Sequence, residues 1–136
     1  MGLDMFLYKT GKKFNTQKEL EDYCKVEGEP DSQEIGYWRK HPDLHGIMEQ
    51  IFEERTYHYK NSVFNLLPLL LTEDDLKMLY RKSKDFAEGR DKPETVEGFF
   101  FGTSYNEQWK ESAEIFKDAL ESTDFKTQSI FYDSWW

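Results

Sequence analysis

The sequence predicts a single α+β domain, in which a small antiparallel or mixed sheet carries helices mainly on one face. Stretches with strand-like and helix-like periodicity both occur, but they do not alternate as regular βαβ units, which disfavours a parallel sheet. The 136 residues are the length of one domain, so residues 1–136 are taken as a single unit. Aromatic residues make up 17% of the chain, which predicts a core built from a few large rings.

Five short stretches have the composition of strands. Leu3 to Tyr8 alternates aliphatic residues with aspartate or aromatic residues, as expected of a strand that is covered on both faces. In a second strand, Ile35 to Arg39, Gly36 permits a close approach of another backbone. The remaining predicted strands are Val63 to Leu66, Gly98 to Gly102 and Thr127 to Tyr132.

Four helices are predicted from apolar residues at helical spacing that follow a capping residue or a proline. The first begins at Thr16, and the second runs from Pro42 to about Glu54. The third runs from Thr72 to a stop at Gly89, and the fourth from Ser104 to about Ser122.

Charge and cysteine content exclude several classes of protein. The formal net charge of −9 disfavours generic binding to nucleic acids and to anionic membranes. Cys24 is the single cysteine, so no internal disulfide forms, which suits a reducing compartment. The apolar stretch Leu66 to Leu71 is interrupted by Pro68 and is too short to span a bilayer. We expect a soluble cytoplasmic protein that does not enter the membrane and is a monomer or a small homo-oligomer.

The junction between the second strand and the second helix is the best candidate for a ligand site. It joins two cations, an imidazole, two aromatic rings and the positive end of a helix, an arrangement that suits an anion. The residues are Tyr37, Trp38, Arg39, Lys40 and His45. The structural alternative is that Trp38 packs in the core, the two cations face solvent, and His45 hydrogen-bonds a neighbour.

Asp4 lies inside an apolar strand, and a buried carboxylate needs a partner. Arg39 on a neighbouring strand is the expected partner, and the pair would then be structural. The functional alternative makes Asp4 a general base that faces the same opening as His45.

Other motifs of catalysis or cofactor binding are lacking. His41 and His45 are four residues apart, but the H-E-x-x-H zinc motif is missing and Cys24 has no second cysteine beside it. Gly98 to Gly102 lacks the spacing of a phosphate-binding loop. We therefore assign no catalytic residue, no metal and no cofactor.

Short signatures along the whole chain resemble a family of small proteins found in bacteriophages and prophages. The matches are M-G-L-D-M-F-L at Met1 to Leu7, Y-W-R-K at Tyr37 to Lys40 with His45, G-F-F-F-G-T at Gly98 to Thr103, and Y-D-S-W at Tyr132 to Trp135. Phe6 stands where the family usually has tyrosine, and Trp136 is an additional residue at the end. The resemblance implies a phage or mobile-element origin and a location in the cytoplasm of the bacterial host, but it implies no activity.

These observations together predict a non-catalytic binding or inhibitory protein. Its partner would be a host protein, or a small anionic, nucleotide-like ligand at the Tyr37 to His45 junction. We expect the aromatic C-terminus to lie near this junction. One alternative is a small enzyme that uses Asp4 and His45 in acid–base chemistry on a nucleotide-like substrate. Another is an acidic protein that mimics nucleic acid, provided that its carboxylates cluster on one face.

Overall fold

The computed structural model describes residues 2–55, 68–91 and 105–135. Within these residues, four helices pack on a four-stranded antiparallel sheet, so the α+β prediction is confirmed. The sheet order is β2-β1-β4-β3. The elements are β1 (Asp4–Thr10), α1 (Gln17–Glu27), β2 (Ser32–Arg39), α2 (Pro42–Arg55), β3 (Leu69–Leu71), α3 (Glu73–Ala87), α4 (Asn106–Ser122) and β4 (Ser129–Trp135).

The larger part of the core lies on one face of the sheet, which we call the core face. Because side chains alternate along a strand, Leu3, Met5 and Leu7 all point to this face, and all three are fully buried. They pack with the apolar stripes of α2, α3 and α4. Three of the four described helices therefore cover the core face, as the sequence predicts.

The opposite face of the sheet, called here the second face, is covered by α1. Phe14 and Leu20 pack on Leu70 of β3 and Phe131 of β4, and form a smaller apolar cluster. Tyr8 of β1 lies at the margin of this cluster and is half-buried. The second face therefore has an apolar half under α1.

One strand, β3, was not predicted, and β2 and β4 extend beyond their predicted bounds. The short strand of the Leu-rich region is Leu69–Leu71, which follows Pro68, whereas the predicted Val63 to Leu66 lies outside the described residues, as does Gly98 to Gly102. The last strand is predicted to end at Tyr132 but continues to Trp135, since Asp133 and Trp135 pair with Phe6 and Asp4 of β1. This extension adds Asp133 and Trp135 to the second face.

The predicted caps Thr16 and Thr72 begin α1 and α3, whereas the N-cap of α4 is Tyr105, one residue later than predicted. The Thr72 hydroxyl accepts from the Asp75 N–H at 3.1 Å, and the Asp75 carboxylate accepts from the Thr72 N–H at 2.8 Å, so α3 begins with a complete capping box. Gly89, with φ of +74°, follows the end of α3 as predicted. At α4 the side-chain carbonyl of Gln108 accepts from the Tyr105 N–H at 2.8 Å, while the predicted cap Ser104 lies outside the described residues.

Candidate functional site

The two aromatic residues of the predicted site point to opposite faces of the sheet. Trp38 is 3% exposed on the core face, where its indole N–H donates to the Ser112 hydroxyl at 2.9 Å. Tyr37 is 46% exposed on the second face, with its ring centroid 5.3 Å from that of Phe6. Adjacent residues of a strand alternate between faces, so Tyr37 and Trp38 do not line one pocket.

His45 is also part of the interior. It is fully buried on α2, and its Nδ1 lies 2.7 Å from the Tyr132 hydroxyl of β4. Burial disfavours the imidazolium and lowers the pKa of His45 to about 4. His45 therefore belongs with Trp38 on the core face, and the sheet separates it from Tyr37.

Arg39 and Lys40 are exposed, as the sequence predicts, but the start of α2 beside them is covered. His41 is fully buried, and Pro42, the first residue of α2, is also buried. The Gln108 side-chain amide of α4 donates to the Lys40 carbonyl at 2.7 Å. The turn before α2 is thus packed against α4, and His41 and Pro42 are not exposed beside Arg39 and Lys40.

Asp4 differs from the expectation of a buried carboxylate paired with Arg39. It is half-buried on the second face and accepts a hydrogen bond of 2.6 Å from the Tyr37 hydroxyl. This bond is the main cause of the raised pKa of Tyr37. Arg39 lies directly across from Asp4 in the strand register, but the ion pairs among the described residues do not include these two.

The second face carries a group of aromatic and charged side chains beyond the part covered by α1. Register and alternation place these side chains in two cross-strand rows, one with Arg39, Asp4 and Trp135, and one with Tyr37, Phe6 and Asp133. We call these six residues the aromatic patch. Trp135 is 62% exposed, and Phe6, near the centre, stacks on Tyr8 with ring centroids 5.8 Å apart.

Asp133 lies at the boundary between the aromatic patch and the half of the face under α1. It is 8% exposed, and one of its oxygens accepts from the Ser134 N–H at 2.9 Å. Burial, together with the neighbouring carboxyl of Glu29, raises the pKa of Asp133 to about 6. Burial and the carboxylates Asp133, Glu29 and Glu34 also raise the pKa of Tyr8. The electrostatic potential at the Asp133 end of the aromatic patch is therefore negative.

Sequence reasoning expected the aromatic C-terminus, to which Trp135 belongs, near the site, but it missed Phe6 and Asp133 as members of the patch. The signal was available, because a last strand that continues through Trp135 puts Phe131, Asp133 and Trp135 on one face by simple alternation. The pairing of that strand with β1, which brings Phe6 beside Asp133, depends on a contact between the two ends of the chain.

Two clefts of about 260 and 290 Å³ lie at the other edge of the sheet, beside β3. Both are lined by Asn15, Leu70 and Thr72, and neither includes a residue of the aromatic patch or of the predicted site.

The described ranges contain neither a metal-binding cluster nor a membrane-spanning helix. No group of three or more His, Cys, Asp or Glu residues among them could hold a metal ion. None of the helices formed by residues 2–55, 68–91 and 105–135 has the length and apolar character needed to cross a bilayer.

Comparison with known proteins adds no relative: no family model, no curated protein and no solved structure matches this chain. The resemblance to the phage and prophage family therefore stays a prediction.

Proposed function

We propose that this protein is a non-catalytic binding protein whose contact surface is the aromatic patch. Its target would be a host component of the cell in which a phage or mobile element resides. The observation that carries the proposal is the exposure of two large rings, Tyr37 at 46% and Trp135 at 62%, on the same face of one sheet. Aromatic residues are enriched at protein–protein contacts, where they dominate the binding energy.

The enzymatic alternative has less support. Acid–base chemistry by Asp4 and His45 needs both groups at one cleft, but Asp4 faces Tyr37 on the second face and His45 is fully buried beside Tyr132. The imidazole of His41 is also fully buried. A binding role requires only the exposed patch.

Anion capture has less support than a binding role, and nucleic-acid mimicry would involve α4 rather than the aromatic patch. Arg39 is the one cation among the six patch residues, and it is accompanied by the carboxyl groups of Asp4 and Asp133. Five exposed carboxylates follow one another at helical spacing along α4: Glu107, Glu111, Glu114, Asp118 and Glu121. Lys110 and Lys117 lie at the margin of this acidic stripe. The stripe supports nucleic-acid mimicry as a second candidate function, whereas a phosphate ligand is not the natural complement of the aromatic patch.

The test uses an affinity-tagged protein expressed in its bacterial host, from which bound proteins are recovered and identified. The double variant Tyr37→Ser, Trp135→Ser should lose a host protein that the unmodified chain retains, while its melting temperature stays close to normal. Val26→Ser is the matched control, because Val26 is an apolar residue of α1 that is 80% exposed outside the patch. Retention of the same partner by the double variant, or its loss from Val26→Ser, would contradict the proposal.

A further inference from the structure

The charges around the aromatic patch indicate what kind of partner it fits, a step that rests on the proposed function. Besides Asp4 and Asp133, the carboxyls of Glu29 and Glu34 lie next to the patch and raise the pKa of Tyr8. Arg39 is the single cation within the patch itself. A partner that presents positive charge would be attracted to this surface, and one that presents negative charge would be repelled.

The negative charges of Asp4 and Asp133 are compensated in different ways. Asp4 accepts the Tyr37 hydroxyl at 2.6 Å and lies across from Arg39. Asp133 lies beside another carboxyl, Glu29, and neither takes part in an ion pair with any described residue. A buried carboxyl without a cation is costly in the free protein, and a cationic ligand would relieve that cost.

Aromatic rings complete the arrangement. Phe6 is in contact with both Tyr37, at 5.3 Å between ring centroids, and Tyr8, at 5.8 Å. Trp135 is exposed in the neighbouring row. Ring faces attract cations, and a guanidinium can stack on a ring while its N–H groups reach a carboxylate.

We propose that the aromatic patch binds a basic segment of a partner protein, with an arginine side chain of that segment lying over Phe6 and Tyr37 and donating to Asp133. Arginine suits this position better than lysine, since its planar fork stacks on rings and binds a carboxylate through two parallel hydrogen bonds. Arg39 lies two residues from Tyr37 on the same face, and its charge, which would repel the cation, is opposed by Asp4 directly across the strands.

The experiment is an NMR titration of the ¹⁵N-labelled full chain with acetyl-Gly-Arg-Gly-amide at neutral pH. The control peptide carries citrulline in place of arginine, which keeps the shape of the side chain and removes its charge. The arginine peptide should give saturable shifts at the amides of Phe6, Tyr37 and Asp133 and at the indole of Trp135. Its affinity should exceed that of the citrulline peptide about tenfold or more, as expected for a desolvated cation–ring contact joined to a carboxylate.

Two variants test whether the arginine peptide binds at the aromatic patch. Asp133→Asn keeps the side-chain shape and should reduce affinity for the arginine peptide about tenfold, towards that of the citrulline peptide. Asp118→Asn, at an exposed carboxylate of α4, should leave the affinity unchanged. A thermal melt of each variant verifies that it is folded.

Equal binding of the two peptides, shifts outside the patch, an absence of saturable shifts, or full affinity in Asp133→Asn would overturn the inference. These outcomes can be distinguished from a failure of the proposed function. If the Tyr37→Ser, Trp135→Ser variant loses its host partner while the two peptides bind equally, the patch is a contact surface that does not select a cation. If that variant keeps its partner, the proposed function itself fails.

Discussion

Gly36 shows how a single residue determines the distance between β2 and α4. A Cβ atom added at this position would lie 2.7 Å from Cγ2 of Ile115 and 3.2 Å from the Cβ of Leu7. Both distances are shorter than ordinary van der Waals contact, so the hydrogen at this position is what allows α4 to approach the sheet.

We expect Gly36→Ala to lower the free energy of unfolding by about 1–3 kcal/mol, because the added methyl group overpacks the contact with Ile115. Urea unfolding followed by circular dichroism measures the change. Gly11→Ala is the matched control, since nothing lies within 4 Å of a Cβ built there. Equal stability of Gly36→Ala and Gly11→Ala would show that α4 can move away without cost.

Predictability at this scale depended on whether a residue's role was local. A close approach at Gly36 was predicted and is present, but it is made by side-chain atoms of Ile115 and Leu7 and not by the backbone that was expected. The structure does not bring Tyr37, Trp38 and His45 into one pocket. Strand alternation, which is visible in the sequence, already separates Tyr37 from Trp38. The partner of His45, the Tyr132 hydroxyl at 2.7 Å, is far along the chain, and local sequence gives no sign of it.

Among the elements, β3 depends most on side chains from outside the sheet. It has three residues and lies at the edge, so one side of its backbone has no neighbouring strand among the described residues. Gln17 of α1 replaces that neighbour: its amide accepts from the Leu70 N–H at 2.7 Å and donates to the Pro68 carbonyl at 2.7 Å. Arg55 donates to the Leu70 carbonyl at 2.6 Å and also forms an ion pair with Asp75. These side chains close the edge and tie α1, α2 and α3 to it.

Gln17→Ala should therefore destabilise the protein by about 1–3 kcal/mol, since the buried Leu70 N–H loses its acceptor. The amide of Leu70 should also exchange with deuterium faster than the other amides of β3 and β4. The control is Gln50→Ala, at an exposed position of α2. Unchanged stability and exchange in Gln17→Ala would mean that water replaces the glutamine amide at no cost.

The existence of most elements could be predicted, but β3 could not. The strands and helices that carry clear alternation or an apolar stripe with a cap were found within a few residues of their bounds. Leu69–Leu71 is too short to show a period, and Pro68 directly before it resembles an interruption. Its pairing with β4 and its contacts with Gln17 and Arg55 are all between distant parts of the chain, and they are what makes it a strand.

At the scale of the whole molecule, buried ionisable groups control the response to acid. Burial lowers the pKa of His41 to about 3 and that of His45 to about 4, from an ordinary value of 6.5. The unfolded chain therefore binds protons at these groups when the folded protein does not, and stability is lost as the pH falls below about 6.5. Asp133 acts in the opposite direction, because its raised pKa favours the folded protein as the pH falls through about 6.

Between about pH 7 and pH 5, each histidine should lower the free energy of unfolding by about 2 kcal/mol, while Asp133 should raise it by about 1 kcal/mol. The expected net loss is about 2–3 kcal/mol. Urea unfolding at the two pH values measures this difference. In His45→Gln the net loss should shrink to below about 1 kcal/mol, whatever the stability of the variant at neutral pH. A stability that does not change over this range, or the same loss in His45→Gln, would contradict the assignment.

The pairing of β1 with β4 has a further consequence for synthesis on the ribosome. β1 is translated before every other described element, yet one of its two neighbours in the sheet, β4, is translated after all of them. Until then, Leu3, Met5 and Leu7 cannot be enclosed by the completed sheet and its Tyr132. Because such distant pairing requires closure of a very long loop, the domain is expected to acquire its native packing only once translation has passed β4. A nascent chain stalled before Ser129 would therefore expose apolar surface and depend on chaperones to remain unaggregated.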